Sequence, residues 1–280
     1  MARVSWDEIS EKYAEGGCSK GMCYNYNTSS KAYDYGMAWN GVSGFTDNPS
    51  GADEQAGYAD NSKYYSLRGA ENYGFTVKCF TVPDNFLRCL GKATVTKGVT
   101  ISQQKRENFG FAVTTNVFND TEGVDYGETL HLVWNATTSP SSKDYTSLNE
   151  SPSPSEMSFE ATANPVAIGT KYKPSANMEI TVTSDSTPEL KAAYERLCDI
   201  LYGSDTAYTQ VPASATAPSD WGTRDYYTKS GDVYTKVTSG TEWDSSTTYY
   251  TLGTEPRLPM PAEIITEIFG ETVNEVAAEG

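Results

Sequence analysis

At 280 residues, 38% of them hydrophobic, the chain is long enough to bury a core without disulfide staples. Its formal charge of −16, from 21 basic and 37 acidic residues, comes from acids spread along the chain, a diffuse negative field that opposes binding to phosphate backbones. The start, Met1-Ala2-Arg3-Val4-Ser5-Trp6-Asp7-Glu8, has no apolar signal segment and no stretch approaches a membrane span. No membrane is therefore expected, and Cys18, Cys23, Cys79, Cys89 and Cys198 are expected to be reduced thiols of a cytosolic compartment.

In chain order, the first ~35 residues carry many Gly, Ser, Asn and Tyr with weak periodicity and are expected to form a loop-rich arm. Cys18 and Cys23 lie in it. A closed zinc site would need two more ligands, which nothing nearby supplies, so plain thiols are preferred. A turn-dense stretch runs from Trp39-Asn40-Gly41 to Asn48-Pro49-Ser50-Gly51. Apolar residues then alternate at Phe75, Val77 and Cys79; at Phe109, Phe111, Val113 and Val117; at Leu130, Leu132 and Trp134; at Met157, Phe159 and Ala161; and at Met178, Ile180 and Val182. A period of two means one face buried and one solvated. Such segments, separated by Gly/Pro/Ser turns, predict a mainly β fold of antiparallel strands, a sandwich or barrel. The aromatic content, 12% with 20 tyrosines, suits strands and interfaces.

One α-helix is predicted at about 187–202. Asp185-Ser186-Thr187 offers capping oxygens and Pro188 suits the first turn; Leu190, Ala193, Leu197 and Ile200/Leu201 recur at helical spacing, and Gly203 stops the helix. A second short helix is predicted at Pro261–Phe269, stopped by Gly270. Between the helices lies a repeat. Tyr208-Thr209-Gln210-Val211, Trp221 and Tyr226-Tyr227-Thr228 are echoed by Tyr234-Thr235-Lys236-Val237, Trp243 and Tyr249-Tyr250-Thr251, with a hairpin expected about Ser230-Gly231-Asp232. The chain is thus read as one main domain (1–206 with 252–270), a small Tyr/Trp-rich β-hairpin insertion (207–251) and a flexible acidic tail (271–280). The aromatics of the insertion would form its own small core or a sticky surface. Core is favoured, because so short a unit has little else to pack with.

No catalytic constellation is visible. There is no Gly-x-Ser-x-Gly elbow and no phosphate loop. The single histidine, His131, sits between Leu130 and Leu132 and points to the opposite face of their strand. Lacking an identifiable nucleophile or orienting partner, it is read as an exposed or satisfied side chain and not as a catalyst. The Asn-x-Ser/Thr matches at Asn27, Asn119 and Asn135 are attributed to chance. No catalytic, cofactor-binding or metal-binding residue is assigned, no cofactor is expected, and the chain is not expected to be an enzyme.

Six blocks stand out in order. They are Ala38-Trp39-Asn40-Gly41-Val42 with Asn48-Pro49-Ser50-Gly51-Ala52; Tyr58-Ala59-Asp60-Asn61-Ser62-Lys63-Tyr64 running into Ala70-Glu71-Asn72-Tyr73-Gly74, a strand, and the turn Val82-Pro83-Asp84-Asn85-Phe86; Ile101-Ser102-Gln103-Gln104-Lys105-Arg106 with Phe109-Gly110-Phe111; Leu130 to Ser141; Leu197-Cys198-Asp199-Ile200-Leu201-Tyr202-Gly203; and Arg257-Leu258-Pro259-Met260-Pro261. Together they resemble the major tail (tail tube) proteins of long-tailed bacteriophages of Gram-positive hosts. Two features depart from that pattern: the Tyr/Trp repeat, where only a short connection is expected, and the Gly-rich start.

The resemblance implies two packed antiparallel sheets flanked by a helix. It also implies a homohexameric ring that stacks head to tail into the tube through which genome DNA passes into the host. The protein would be assembled in the bacterial cytoplasm, reside in the virion tail, and meet tape measure, tail terminator and baseplate proteins. Ring-to-ring contacts would fall to the N-terminal arm and a long loop at 36–60. Six copies would carry six times −16, about −96, so a negative lumen would let DNA pass without adhering. A different reading is a β-sandwich adhesin whose aromatic repeat stacks on host glycans.

Overall fold

The structure is a computed structural model that describes residues 6–51, 53–143, 147, 154–211, 214–218, 221, 225–231, 233–238 and 241–274. The architecture is mainly β, and every strand pairing is antiparallel. The strands before the first helix are β1 (Tyr13–Asn27), β2 (Ala32–Ala38), β3 (Val42–Asp47), β4 (Ser50–Gly51), β5 (Glu54–Ala59), β6 (Ser62–Arg68), β7 (Glu71–Cys79), β8 (Ala93–Thr96), β9 (Val99–Ile101), β10 (Phe109–Asn119), β11 (Gly123–Thr138), β12 (Met157–Ala163) and β13 (Asn177–Thr183). Nine of these form one sheet in the order β2-β1-β10-β11-β12-β7-β3, with β13 also on β11 and β4 also on β7.

The sheet becomes two layers at one residue of β11. Phe111 pairs with Val133, but Phe109 pairs with Ala136, so β11 spends one residue more than β10 between those two pairs. Asn135 lies in this bulge with φ of 52°, a left-handed conformation that asparagine tolerates. A bulge bends its strand and sharpens the local twist. Before it, Gly127–Val133 pairs with β13; after it, Ala136–Thr138 pairs with β12. The β12-β7-β3 layer then folds back across β10 and β11. The bulge also flips side-chain parity, so that Val133 and Ala136 face the same core.

That first core holds Phe75, Val77 and Cys79 of β7, Phe109, Phe111 and Val113 of β10, and Met157, Phe159, Ala161 and Ala163 of β12, joined by Trp39 and Phe86. On β12 the burial alternates without a break, as period two requires. The second core lies on the other face of the sheet, where Met22, Tyr24, Ala112, Leu130, Leu132, Trp134 and Ile180 meet a helix, α1 (Pro188–Tyr202). The helix begins as expected, with the Thr187 hydroxyl accepting from the Leu190 N–H at 3.3 Å and Pro188 in the first turn. Its buried stripe is Ala193, Tyr194, Leu197 and Leu201, and Leu190 is only half-buried. Tyr194 joins because its hydroxyl reaches the Glu128 carboxylate on the sheet, 2.8 Å away. The C-terminal helix occupies the expected span to within one residue but changes type along it. One turn of α2 (Pro261–Glu263) passes into a π turn at Ile264–Ile268, which buries Ile264 and Ile268 against the same core.

The N-terminal reading needs correction. Residues 13–27 are not a loop-rich arm but β1, a central strand between β2 and β10. Met22 and Tyr24 face the helix-side core and Cys23 the other, so the buried part of β1 has no polar face to alternate with. Register shifts on either side of Ser19 further blur its period. Of the tail, residues 275–280 lie outside the described residues. Residues 271–274 are described, and Val273 there accepts a backbone hydrogen bond from Lys171 at 2.9 Å.

The repeat folds as a separate four-stranded sheet, in the order β14 (Ser204–Gln210), β17 (Tyr249–Thr254), β15 (Tyr226–Ser230) and β16 (Val233–Lys236). Ser204 and Thr254 are cross-strand partners, so the segment leaves and rejoins the main body at adjacent points. β15 and β16 form the expected hairpin, with Ser230 opposite Val233. One aromatic group joins Trp221 and Trp243 (5.0 Å between ring centroids) to the buried Tyr226 and Tyr249. A second, half-buried group joins Tyr208, stacked on Tyr234 at 3.8 Å, to Tyr227 and Tyr250.

Candidate assembly surface

Of the residues that carry the tail-tube resemblance, Trp39, Phe86, Phe109, Phe111, Trp134, Leu197 and Leu258 lie in the two cores, whereas Tyr58, Tyr64 and Ile101 are exposed. On one face of the sheet, Trp39 lies 4.3 Å from Phe86 and 5.8 Å from Phe111, centroid to centroid, and donates from Nε1 to the Thr81 carbonyl at 2.7 Å. Phe86 in turn meets Phe109 edge-on at 5.0 Å. On the other face, Trp134 donates from Nε1 to the Pro259 carbonyl at 2.9 Å, and Leu258 packs among Leu132, Leu197 and Leu201. Gly110 is required there by close approach, since a Cβ would stand 2.3 Å from Leu258 Cδ2. These buried members of the motifs therefore specify the fold. Anything the chain does to other molecules falls to its surface.

The titratable groups of the cores are held neutral. Burial pushes Tyr33 and Tyr202 up to about 12 and Cys198 up to about 11. Burial also raises Tyr24 and Cys23, and the neighbouring Cys89 pushes Cys23 further up. All five cysteines are free. His131 is buried, not exposed, and its Nε2 lies 2.8 Å from the Thr115 hydroxyl.

Two hairpins contribute almost nothing to either core. In β5–β6 the side chains are exposed along both strands: Tyr58 by 74%, Tyr64 by 78%, Tyr65 by 52% and Leu67 by 62%. This hairpin forms a two-stranded sheet of its own. In β8–β9, Val95, Val99 and Ile101 are likewise exposed. A lone two-stranded hairpin is marginal in water, and contiguous exposed apolar surface marks a contact with another molecule. The long loop expected at 36–60 is thus replaced by the end of β2, by β3 and β4, and by the first arm of this hairpin. Its turn was readable. Asp60-Asn61 between two strand-forming runs is a two-residue turn with positive φ at both positions, 49° and 62°.

A further contact surface is an open sheet edge. β13 pairs with β11 on one side only, so among the described residues its outer edge is unpaired. Such an edge is a template for a strand from another chain. By contrast, the outer edge of β2 is covered by the 256–258 segment, through Gly36 N–H to the Pro256 carbonyl at 2.7 Å and Leu258 N–H to the Tyr33 carbonyl at 3.1 Å.

No protein-family model and no curated protein matches the chain. Among solved structures it is similar to the sheath/tube terminator of an extracellular contractile injection system, PVC, in the extended state. That match has 12% identity over 65% of this chain and 100% of the other, with a TM-score of 0.28. It is also similar to the sheath-tube complex of the same kind of system, at 12% identity over 58% and 89% and a TM-score of 0.25. At such identities and scores the likeness has no bearing on what this chain does.

Proposed function

We propose that this chain is a structural subunit of a phage-type tail tube, which associates with copies of itself into stacked rings, six subunits to a ring, and catalyses no reaction. The observation that carries this reading is the division of the molecule. Several of the motifs that resemble tail-tube proteins supply the cores, while the β5–β6 hairpin, itself part of one of them, exposes Tyr58, Tyr64, Tyr65 and Leu67 with nothing among the described residues covering them. A head-to-tail contact that repeats along an axis builds a filament, and one that closes builds a ring. The hairpin serves the first kind of contact and the open edge of β13 the second. The net charge of −16 suits a conduit that DNA traverses without sticking. The protein would sit in the virion tail and meet tape measure, terminator and baseplate proteins.

Negative-stain microscopy of the purified chain at rising concentration tests this. Rings or tubes are expected. A variant lacking residues 56–66, closed by a short Gly-Ser link, should keep its far-UV circular dichroism yet remain monomeric in light scattering. Wild-type protein that stays monomeric with no rings would sink the reading. The half-buried tyrosine group of Tyr208, Tyr227, Tyr234 and Tyr250 favours a second role, a glycan-stacking face on the insertion. It predicts saturable binding to host cell wall that is lost when residues 207–251 are removed.

A further inference from the structure

We infer that Asp47, His131 and Glu179 form a binding site for a divalent transition-metal ion, zinc in the first instance. The three come from different strands. His131 lies in β11, Glu179 directly opposite it in β13, and Asp47 ends β3 in the overlying layer. Their ligand atoms lie within 4.8 Å of one another. A cluster of acidic side chains alone would carry no such conclusion. The decisive feature is the histidine.

His131 is only 8% exposed, with the Phe45 ring against its imidazole at 5.4 Å. The contacts around Nε2 set the orientation of the ring. The Thr115 hydroxyl donates its proton to the Glu15 carboxylate, so towards Nε2, 2.8 Å away, it can only accept. Nε2 is thus engaged as a donor on the strand side, and the nitrogen free to coordinate is Nδ1. That Nδ1 is buried and makes no hydrogen bond among the described residues. It faces Glu179 Oε1 at 3.5 Å, an anionic oxygen that can donate nothing. A buried ring nitrogen with no hydrogen-bond partner, set beside carboxylates, is a polar position that a bound cation satisfies. A neutral imidazole whose far nitrogen donates to an oxygen is how metal-bound histidines are usually oriented.

The donor set and its dimensions fit. One imidazole with two carboxylates suits zinc, cobalt or nickel better than magnesium or calcium, which prefer oxygen alone. Bonds of ~2.05 Å in a tetrahedral site put ligand atoms about 3.3 Å apart. Glu179 already meets that spacing from Nδ1, and the exposed Asp47 carboxylate can close the remainder by side-chain rotation. Tyr73 donates its hydroxyl to Asp47 Oδ1 and holds that carboxylate over the site. Three protein ligands leave one position for water. The ion would tie β3 to the central sheet at the point where the chain departs for β4 and the projecting hairpin.

The test is zinc titration of the full-length chain by calorimetry at pH 7.5, repeated with cobalt and read by visible absorption. Expected is one equivalent per chain, a raised melting temperature, and a cobalt ligand-field spectrum without a thiolate charge-transfer band, which separates this site from the free cysteines. Glu179→Gln and Asp47→Asn, both exposed positions that should fold normally, should each weaken binding on the order of tenfold or more. The inference is overturned by absence of binding, by a thiolate-type cobalt spectrum, or by zinc affinity unchanged in both carboxylate variants.

Discussion

Replacing Trp134 by phenylalanine should loosen the closure of the C-terminal segment onto the sheet. Trp134 is fully buried, and its Nε1–H donates at 2.9 Å to the carbonyl of Pro259, itself buried, 125 residues away in sequence. Phenylalanine keeps the apolar character but removes the donor. The carbonyl, buried and left without its donor, costs about 1–3 kcal/mol. The lost part of the indole contributes a further ~1–2 kcal/mol in transfer and packing. The expected loss is therefore about 2–5 kcal/mol, a large share of the ~5–15 kcal/mol that stabilises a typical domain. Urea unfolding followed by far-UV circular dichroism measures it, at one fixed and low protein concentration so that self-association does not add its own stabilisation. The midpoint should fall with the slope unchanged. A loss under about 1 kcal/mol would refute the argument that this bond seals Arg257–Pro261 against β11.

Three further outcomes are expected. Gly110→Ala should cost ~1–3 kcal/mol by overpacking against Leu258, and Leu258→Ala in the same chain should cost less than the two changes summed, as measured by a double-mutant cycle. Tyr58→Asp with Tyr65→Asp should leave the unfolding midpoint within ~0.5 kcal/mol of the parent, since both side chains are exposed, yet prevent the appearance of rings under the microscope. Alkaline pH should unfold the protein. Tyr33 and Tyr202 titrate near 12 in the fold against 10.0 unfolded, and Cys198 near 11 against 9.0, so the folded chain holds protons that the unfolded chain releases. Their stabilisation is complete below about pH 9 and should decline from there to about pH 12, visible as a falling melting temperature over that window.

The alternation in β7, β10, β12 and β13 was legible because each strand has a face whose apolar residues recur every second position. The α1 cap at Thr187-Pro188 was legible because capping is a local bond. β1 was not, since a strand buried on both faces loses its polar half, and register shifts broke what period remained. The β5–β6 hairpin carried a readable turn at Asp60-Asn61, but its exposure did not follow from any local feature. The candidate metal cluster was hidden for a different reason. Asp47, His131 and Glu179 are far apart in sequence, and only the fold-back of β3 over β11 brings them together.

By itself the sequence determined the β class, the helix at 188–202, the aromatic repeat and the order of motifs, all of which depend on neighbours a few residues apart. The tertiary structure decided which of those motifs are core and which surfaces remain open. That division depends on the Asn135 bulge, where β11 changes partner from β13 to β12. A single left-handed residue is not signalled by hydrophobic pattern, yet it sets the layer that covers His131 and, among the described residues, leaves the edge of β13 unpaired.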